Sequence, residues 1–427
     1  MNFVKFFVSA LAISLLHAVF AATPTVSDVT MAQGADRTVT ITYELSAPAV
    51  VTLDIVTNSA TGWVSIGGEH VRHVVGDVWK VVAADGQPHA MTWRPTASWP
   101  GHLVADGGVK ALVTAWPLMD TPDYMVVDVN DGAAKRTVWF YPAVEFLPGG
   151  ILGNSDYRIN KIVLRRIRAG GVSWMMGTVF ENGRNAATEA AHPARLDADY
   201  YIGVFELTQG QFQCIAGFNP SGFSDLSDSP MYPLNSVSYN KMRCAPCTND
   251  KNNDYKGGGW PNAPYAGSFL DLLRQRTGID FDLPSEAQWE YAGRSGTCED
   301  QWNNGKRKED DTMPGQWKRD PNDIHPVACG SFEPSRWGLY DMHGNIFELC
   351  NDWYLENITA LGGAPNVCLT DCTKMADGVT AGVNRVRRGG AYHAGTSSVS
   401  YRNVTADPKT AATQWGFRLI CPVGIAD

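Results

Sequence analysis

The amino-acid sequence predicts an N-terminal all-β domain of the sandwich type, followed by a larger mixed α/β domain rich in loops. Segments that alternate polar and apolar residues, as half-buried strands do, recur at short intervals up to about residue 140. The segment LPGG at 147–150, whose proline and glycines interrupt regular structure, then marks a predicted domain boundary. Beyond it, two segments carry a helical pattern, and the chain's 42 glycines and 14 tryptophans favour aromatic-packed loops.

Residues 1–22 have the pattern of a secretory signal peptide. Lys5 gives a positive start, residues 6–20 form an apolar run, and Ala21 and Ala22 supply a small-residue cleavage site. The run is short for a transmembrane span, although an uncleaved membrane anchor is the alternative. We therefore expect a secreted or cell-envelope protein, in the periplasm or at the cell surface, with no membrane span after signal cleavage.

The predicted β domain covers residues 23–146. Its strands are predicted at 38–43, 49–56, 78–82, 90–93, 109–113 and 137–140. Short strands at this spacing are typical of a sandwich. The run YELSAPAVVTLDI at 43–55 resembles the opening hairpin of fibronectin-III-like and immunoglobulin-like modules. The domain contains no cysteine and no cluster of catalytic type, so an immunoglobulin-like spacer or docking module is the favoured interpretation.

Two segments after the boundary predict helices. In 268–277, the apolar residues at 269, 270, 272 and 273 share one face. In 285–294, Ser285 or Asp282 supplies the N-cap, and acidic residues at 286 and 290 favour the early turns.

Net charge limits the classes of partner. The chain carries a formal charge of −9 at pH 7. Nucleic-acid binding relies on lysine and arginine neutralising phosphates, so we expect no nucleic-acid partner. The acidic balance is compatible with cation binding.

The nine cysteines all follow residue 213. An exported chain meets an oxidising environment, so disulfides are expected, and the odd count leaves at least one thiol free or paired between chains. Cys244 and Cys247 have the C-x-x-C spacing of redox or zinc sites. Because no second C-x-x-C is present, a structural disulfide is the favoured interpretation.

The segment at 338–349, GLYDMHGNIFEL, holds three oxygen-bearing side chains close to a glycine turn. These are Asp341, Asn345 and Glu348, and Gly344 allows a positive φ. Such a turn can direct oxygens at Ca²⁺, which takes about six to eight of them. The alternative is a turn whose acidic groups face water.

The same segment resembles the G-L-Y-D-M-x-G-N-V-W-E-W signature of the formylglycine-generating enzyme family, also called sulfatase-modifying factors. Further segments resemble that family's motifs in the same order. They are WMMG at 174–177, ELTQGQF at 206–212, PLNSVSY at 233–239, LPSEAQWEYA at 283–292, RGGAY at 388–392 and GFR at 416–418.

The resemblance implies a compact mixed α/β fold related to C-type lectins, covering residues 155–427. The best-known members oxidise a substrate cysteine to formylglycine with oxygen and copper. Two cysteine thiolates, about five residues apart and shortly after R-G-G-S-W, bind that copper, and soft sulfur ligands suit Cu(I).

This chain departs from the family at those positions. Ala394 and Val399 stand where the two cysteines are expected, and no cysteine occurs between Cys372 and Cys421. Ala391 replaces the motif serine, and residues 347 and 349, Phe and Leu, replace its two tryptophans. We therefore expect neither bound copper nor copper-dependent oxidase activity.

The resemblance also implies a structural calcium site. Its ligands map onto the side chains of Asp341 and Glu348 and the backbone carbonyls of Gly344 and Ile346. All four groups are compatible with Ca²⁺.

Together these observations predict an exported, calcium-stabilised binding or scaffold module for a protein, peptide or glycan, since fold does not imply activity. The alternative is a divergent oxidoreductase acting on protein cysteine, with Cys329 or Cys350 as its thiol. The sequence leaves open whether the protein is an enzyme.

Overall fold

The computed structural model describes residues 23–103, 107–130, 137–178, 188–249, 259, 262–297, 325–354, 369–370, 384–392, 398–404 and 407–424 of the chain. The predicted signal peptide, three of the cysteines (Cys298, Cys368 and Cys372) and Ala394 lie outside these ranges. Within them, no helix has both the length and the apolar character needed to cross a membrane.

The first part of the chain is built from strands. Their bounds are β1 (Val26–Gln33), β2 (Val39–Leu45), β3 (Ala49–Ser59), β4 (Gly62–Ser65), β5 (Val74–Gly76), β6 (Lys80–Val82), β7 (His89–Trp93), β8 (Val109–Trp116), β9 (Tyr124–Asp128) and β10 (Val138–Tyr141). Short 3₁₀ turns lie at Gly68–His70 and Val144–Phe146, and the four-residue helix α1 spans Pro95–Ser98.

Two antiparallel sheets enclose one N-terminal core. One has the order β1-β2-β7-β5, and the other has the order β4-β3-β6, with β8 also pairing with β3. Ile41, Leu53 and Trp93 from three of these strands meet in that core. On β2, buried Val39, Ile41 and Tyr43 alternate with more exposed residues, which is the period on which the strand prediction depended. The immunoglobulin-like topology stays a prediction.

The remaining elements are short. The strands are β11 (Lys161–Ile167), β12 (Val172–Met176), β13 (His192–Leu196), β14 (Tyr200–Gly203), β15 (Phe347–Trp353), β16 (Leu369–Thr370), β17 (Arg385–Arg388), β18 (Asn403–Val404), β19 (Trp415–Gly416) and β20 (Ile420–Pro422). The helices are α2 (Gln209–Ala216), α3 (Tyr239–Arg243), α4 (Phe269–Thr277) and α5 (Glu286–Arg294), and 3₁₀ turns lie at Ser155–Arg158 and Ser229–Met231.

A five-stranded sheet crosses the boundary predicted at 147–150. Its order is β10-β9-β11-β14-β20, so β9 and β10, which precede the boundary, join three strands that follow it through the pairing of β9 with β11. In this sheet Leu164 lies opposite both Met125 and Gly203. The two parts of the chain therefore share a sheet, which the sequence-based division into 23–146 and 155–427 did not anticipate.

Helix starts follow local capping signals. The Ser285 hydroxyl accepts from the amide of Gln288, and the Gln288 side-chain oxygen accepts from the amide of Ser285, so α5 begins with a capping box. Ser268 caps α4 at the start of the predicted helix. Helix α2 was not predicted, although Thr208 and Gln211 form the same reciprocal pair.

Candidate functional site

The segment at 338–349 is a strained turn that leads into β15. Asp341 and Asn345 have positive φ values of 58° and 59°, which asparagine and aspartate adopt more readily than most residues. The amide of Gly344 donates to the carbonyl of Gly389 at 2.7 Å, and the amide of Tyr392 donates to the carbonyl of Asn345 at 2.8 Å. The turn is thereby attached to the RGGAY segment.

Glu348, at the start of β15, is fully buried and bound to Arg418. Arg418 Nη2 lies 2.7 Å from Oε1, and Arg418 Nε lies 3.1 Å from Oε1 and 2.9 Å from Oε2. Trp289 Nε1 donates to Oε2 at 2.6 Å. Arg418 Nε contacts both oxygens, so the carboxylate of Glu348 accepts from three N–H groups, against about four lone-pair sites.

Asp341 is buried but only partly hydrogen-bonded. The amide of Gly330 donates to its Oδ2 at 2.6 Å. Its Oδ1 has no hydrogen-bond partner among the described residues. Burial raises the pKa of Asp341 to about 6, because removal of water disfavours the charged form and the nearby Glu348 adds to the effect.

Glu206 and Cys329 lie beside Asp341, and sequence reasoning did not place them there. One ligand atom from each of the three residues lies within 4.8 Å of the others. Glu206 Oε2 accepts from Cys329 Sγ at 3.3 Å and from Asn345 Nδ2 at 2.6 Å. Burial raises the pKa of Glu206 well above its usual value, and the charge of Asp341 raises it further. We call Glu206, Cys329 and Asp341 the acidic cluster.

The predicted calcium ligands occupy one turn, but they are not equally available. Asp341 offers its Oδ1, which has no partner among the described residues, whereas the carboxylate of Glu348 already accepts from three N–H groups of Arg418 and Trp289. The amide of Ile346 donates to Glu206 Oε1 at 3.2 Å, so the same turn also orients Glu206. The calcium assignment stays a prediction.

A second buried charge group surrounds α5. Arg388 pairs with Glu286 at 3.1 Å and also with Glu290, and Arg402 Nη2 donates to Glu286 Oε2 at 2.8 Å. Arg294 pairs with Glu290 at 2.7 Å. We call these five residues the α5 ion-pair network. From the sequence, both glutamates were expected only to stabilise the early turns of the helix. Their ion pairs with the RGGAY segment were not predicted.

The positions of the family's copper ligands lack thiols. Val399 is fully buried, in a cluster with Trp289 and Met342. Ala391 is also buried, and it packs with Phe347 and Trp415. Each replacement therefore belongs to an apolar cluster.

Cys244 and Cys247 are free thiols, so the favoured disulfide between them is not formed. The six described cysteines lie in different parts of the core. Cys244, Cys247 and Cys421 share a cluster with Phe212, Cys329 lies with Trp93, Cys350 lies with Trp289, and half-buried Cys214 packs against the first of these clusters.

Burial makes four of these thiols poor nucleophiles. It raises the pKa of Cys247 to about 12 and also raises the pKa of Cys244. The pKa values of Cys329 and Cys350 lie well above the usual range for the same reason. A reactive cysteine needs a lowered pKa instead.

An arginine lies between two aromatic rings next to the RGGAY segment. The guanidinium carbon of Arg387 is 4.5 Å from the ring centre of Phe347 and 4.7 Å from that of Trp415. Its Nη2 donates to Asn403 at 3.0 Å, while Nε and Nη1 have no partner among the described residues. Burial lowers the pKa of Arg387 to about 10.

Comparison with known proteins gives several partial matches. The formylglycine-generating enzyme of Streptomyces coelicolor is 27% identical over 181 residues, or 38% of this chain and 53% of that protein. The mouse (Mus musculus) formylglycine-generating enzyme is 27% identical over 170 residues, or 35% of this chain and 42% of that protein. The chaperone protein LppX of Paenibacillus barcinonensis is 26% identical over 183 residues, or 37% of this chain and 63% of that protein. The chain thus covers less than two thirds of each relative.

Among solved structures, PvdO from Pseudomonas aeruginosa aligns with 61% of this chain and 94% of its own, at 20% identity and a TM-score of 0.47. The sequence profile of the sulfatase-modifying factor enzyme 1-like domain matches residues 164–423. That match covers more than half of the chain and includes every motif on which the resemblance depended. The chain therefore belongs to the family of sulfatase-modifying factor enzyme 1-like domain proteins.

Proposed function

We propose that this protein is an exported binding or scaffold module that lacks copper-dependent formylglycine oxidase activity. The observation that carries this proposal is the loss of both thiols after the RGGAY segment. No cysteine occurs between Cys372 and Cys421, and Val399 fills its position with a buried aliphatic side chain. Copper(I) then lacks the soft ligands that it needs in that region.

The other described thiols do not replace the missing pair. Cys329 and Cys350, the nearest candidates in the sequence, are fully buried and lie in different core clusters. Their raised pKa values disfavour the thiolate that attacks a substrate disulfide. These features disfavour the alternative of an oxidoreductase that acts on protein cysteine.

We place the proposed ligand contact at Arg387. Its guanidinium is half-buried against the buried rings of Phe347 and Trp415, and its Nε and Nη1, which have no partner among the described residues, can bind a carboxylate that reaches them. We propose that a protein, peptide or glycan ligand contacts this face. The net charge of −9 continues to disfavour a nucleic-acid partner.

A bound divalent cation is the second part of the proposal. Ca²⁺ is the ion expected from the family, and Asp341 has the free oxygen that it requires. Such an ion stabilises the folded state because it binds that state alone. We further propose a secreted or cell-envelope location, on the basis of the apolar N-terminal segment.

The test of the oxidase proposal is direct. The purified protein is incubated with Cu(I), oxygen and a peptide containing C-x-P-x-R, and the aldehyde is sought by mass spectrometry. An active formylglycine-generating enzyme is run in parallel to validate the assay. We expect no aldehyde from this protein, and turnover would contradict the proposal.

The binding role is tested on a printed array of acidic and neutral glycans and peptides. We expect Arg387→Gln to weaken binding at least tenfold, whereas Arg195→Gln, at an exposed ion pair with Asp197, leaves it unchanged. Equal binding by both variants would exclude the Arg387 face, and no binding by the wild-type protein would contradict the binding role.

A further inference from the structure

We infer that the acidic cluster, Glu206, Cys329 and Asp341, is a binding site for a borderline divalent transition-metal ion, with Zn²⁺ as the probe. The inference goes beyond the ligand binding proposed above and does not rest on it. It is an alternative to the Ca²⁺ proposed there, because both ions would use Asp341 Oδ1, and it takes Glu206 and Cys329 in place of Glu348. Three separate chain segments supply the ligands, so the site exists only in the folded protein.

The ligand atoms are already close together. They lie within 4.8 Å of one another, and Glu206 Oε2 is 3.3 Å from Cys329 Sγ. A tetrahedral zinc ion, with Zn–O of about 2.0 Å and Zn–S of about 2.3 Å, separates an oxygen and a sulfur ligand by about 3.5 Å. Little movement is needed to accept the ion.

Asp341 has a buried oxygen that a metal ion could bind. The residue is 6% exposed, and its Oδ1 makes no hydrogen bond with the described residues. A buried polar atom without a partner is costly, and a buried carboxylate oxygen is costlier still. The same residue is held by Gly330 through its other oxygen, which leaves Oδ1 available to a cation.

The local charge balance also favours a cation. The carboxylates of Glu206, Asp341 and Glu348 all interact with Arg418, and Glu348 is the one of these three that forms an ion pair with its guanidinium. Arg158 lies near enough to Asp341 to interact with it. Two carboxylates therefore remain without a directly bound cation in the described part of the core, and a divalent ion would compensate them.

The sulfur ligand decides which class of ion fits. Ca²⁺ takes oxygen ligands, whereas Zn²⁺ is commonly bound by cysteine together with oxygen or nitrogen ligands. Hydrogen bonds from Asn345 to Glu206, and from the amide of Ile346 to the same carboxylate, orient its oxygens as outer-shell groups orient metal ligands.

The test uses the full chain produced with added Zn²⁺, Co²⁺ or Ca²⁺ and then separated from free ion. We expect one zinc ion per chain by elemental analysis. We also expect a thiolate-to-cobalt charge-transfer band in the near ultraviolet from the Co²⁺ protein. Cys329→Ser should lose the band and bind Zn²⁺ at least tenfold more weakly. Cys350→Ser, at another fully buried cysteine, should keep both.

Several results would overturn the inference. They are the absence of stoichiometric zinc and of the cobalt band in the wild-type protein, a band that survives in Cys329→Ser, or Zn²⁺ bound with equal affinity by the wild-type protein and Cys329→Ser. Circular dichroism of each variant shows whether it folds. If Cys329→Ser does not fold, the wild-type cobalt spectrum still decides the question.

Discussion

The α5 ion-pair network and the acidic cluster are two buried charge groups with different balances of charge. In the network, Glu286 and Glu290 meet three guanidinium groups, those of Arg294, Arg388 and Arg402. In the acidic cluster, neither Glu206 nor Asp341 forms an ion pair with an arginine among the described residues. The nearby Arg418 pairs with Glu348 instead.

The different charge balance shifts the pKa values of two buried glutamates in opposite directions. Burial by itself raises the pKa of Glu286, but Arg402 and Arg388 outweigh it and hold that pKa below its usual value. For Glu206 burial and the neighbouring carboxylates act in the same direction, and its pKa is raised. The charge of the neighbouring groups, and not burial, therefore decides the direction of the pKa shift. The network is neutralised by its own arginines, whereas the acidic cluster requires a proton or a cation.

The largest expected effect comes from breaking the network. Glu286→Gln leaves Arg402 and Arg388 facing a neutral amide, and removal of one partner from a buried pair costs about 3–5 kcal/mol. We expect the free energy of unfolding, measured in urea, to fall by that amount. Arg195→Gln, at an exposed pair, is the control and should change it by about 0–1 kcal/mol. Equal effects of the two variants would show that the network is not stabilising.

Acid should reduce the difference in unfolding free energy between the wild-type protein and Glu286→Gln. Because the folded-state pKa of Glu286 is lowered, its stabilisation is present above the ordinary value of 4.5 and is lost as the pH falls through the folded-state pKa. The stability gap between the wild-type protein and Glu286→Gln should therefore narrow between about pH 7 and about pH 3. Urea unfolding of both proteins at several pH values measures the gap, and a constant gap would contradict the assignment.

A smaller effect is expected at the cap of the helix that carries the network. Ser285 accepts from the amide of Gln288 at 3.1 Å, and loss of such a cap typically costs about 1 kcal/mol. Ser285→Ala should lower the free energy of unfolding by about that amount, while Ser285→Asp should retain it. A loss as large as that of Glu286→Gln would mean that the cap and the network form one unit.

The smallest effect is expected in the acidic cluster of chelator-treated protein. Glu206→Gln removes a buried charge that no arginine contacts directly, and the amide oxygen can still accept from Ile346 or Asn345. We expect no loss of stability, or a gain of about 1 kcal/mol, by urea unfolding. The same glutamate-to-glutamine change would then have opposite consequences in the two regions. A loss as large as that at Glu286 would remove the distinction between them.

Local sequence signals, namely helix caps and hydrophobic periodicity, predicted much of the fold. The cap at Ser285 and the apolar face of residues 268–277 predicted two helices that the structure contains, and alternation predicted most of the N-terminal strands. The same signal at Thr208 marked α2 and was overlooked. Each of these features depends on residues within a few positions of one another, so a single sequence contains the necessary information.

The candidate site was predictable only in part. Asp341, Gly344, Ile346 and Glu348 are close in the chain, and a motif could therefore indicate them. Whether Glu348 is available as a ligand depends on Arg418 and Trp289, which reach it from 70 and 59 residues away. Periodicity and spacing carry no information about such partners.

The sequence by itself determined the family motifs and the absence of cysteine between RGGAY and Cys421. Tertiary structure decided that the five-stranded sheet joins both parts of the chain, and that Glu206 meets Cys329 across 123 residues. It also decided which buried carboxylates receive an arginine. The physical reason is that the energy of a buried charge depends on its neighbours in space, and only packing of the whole chain brings those neighbours together.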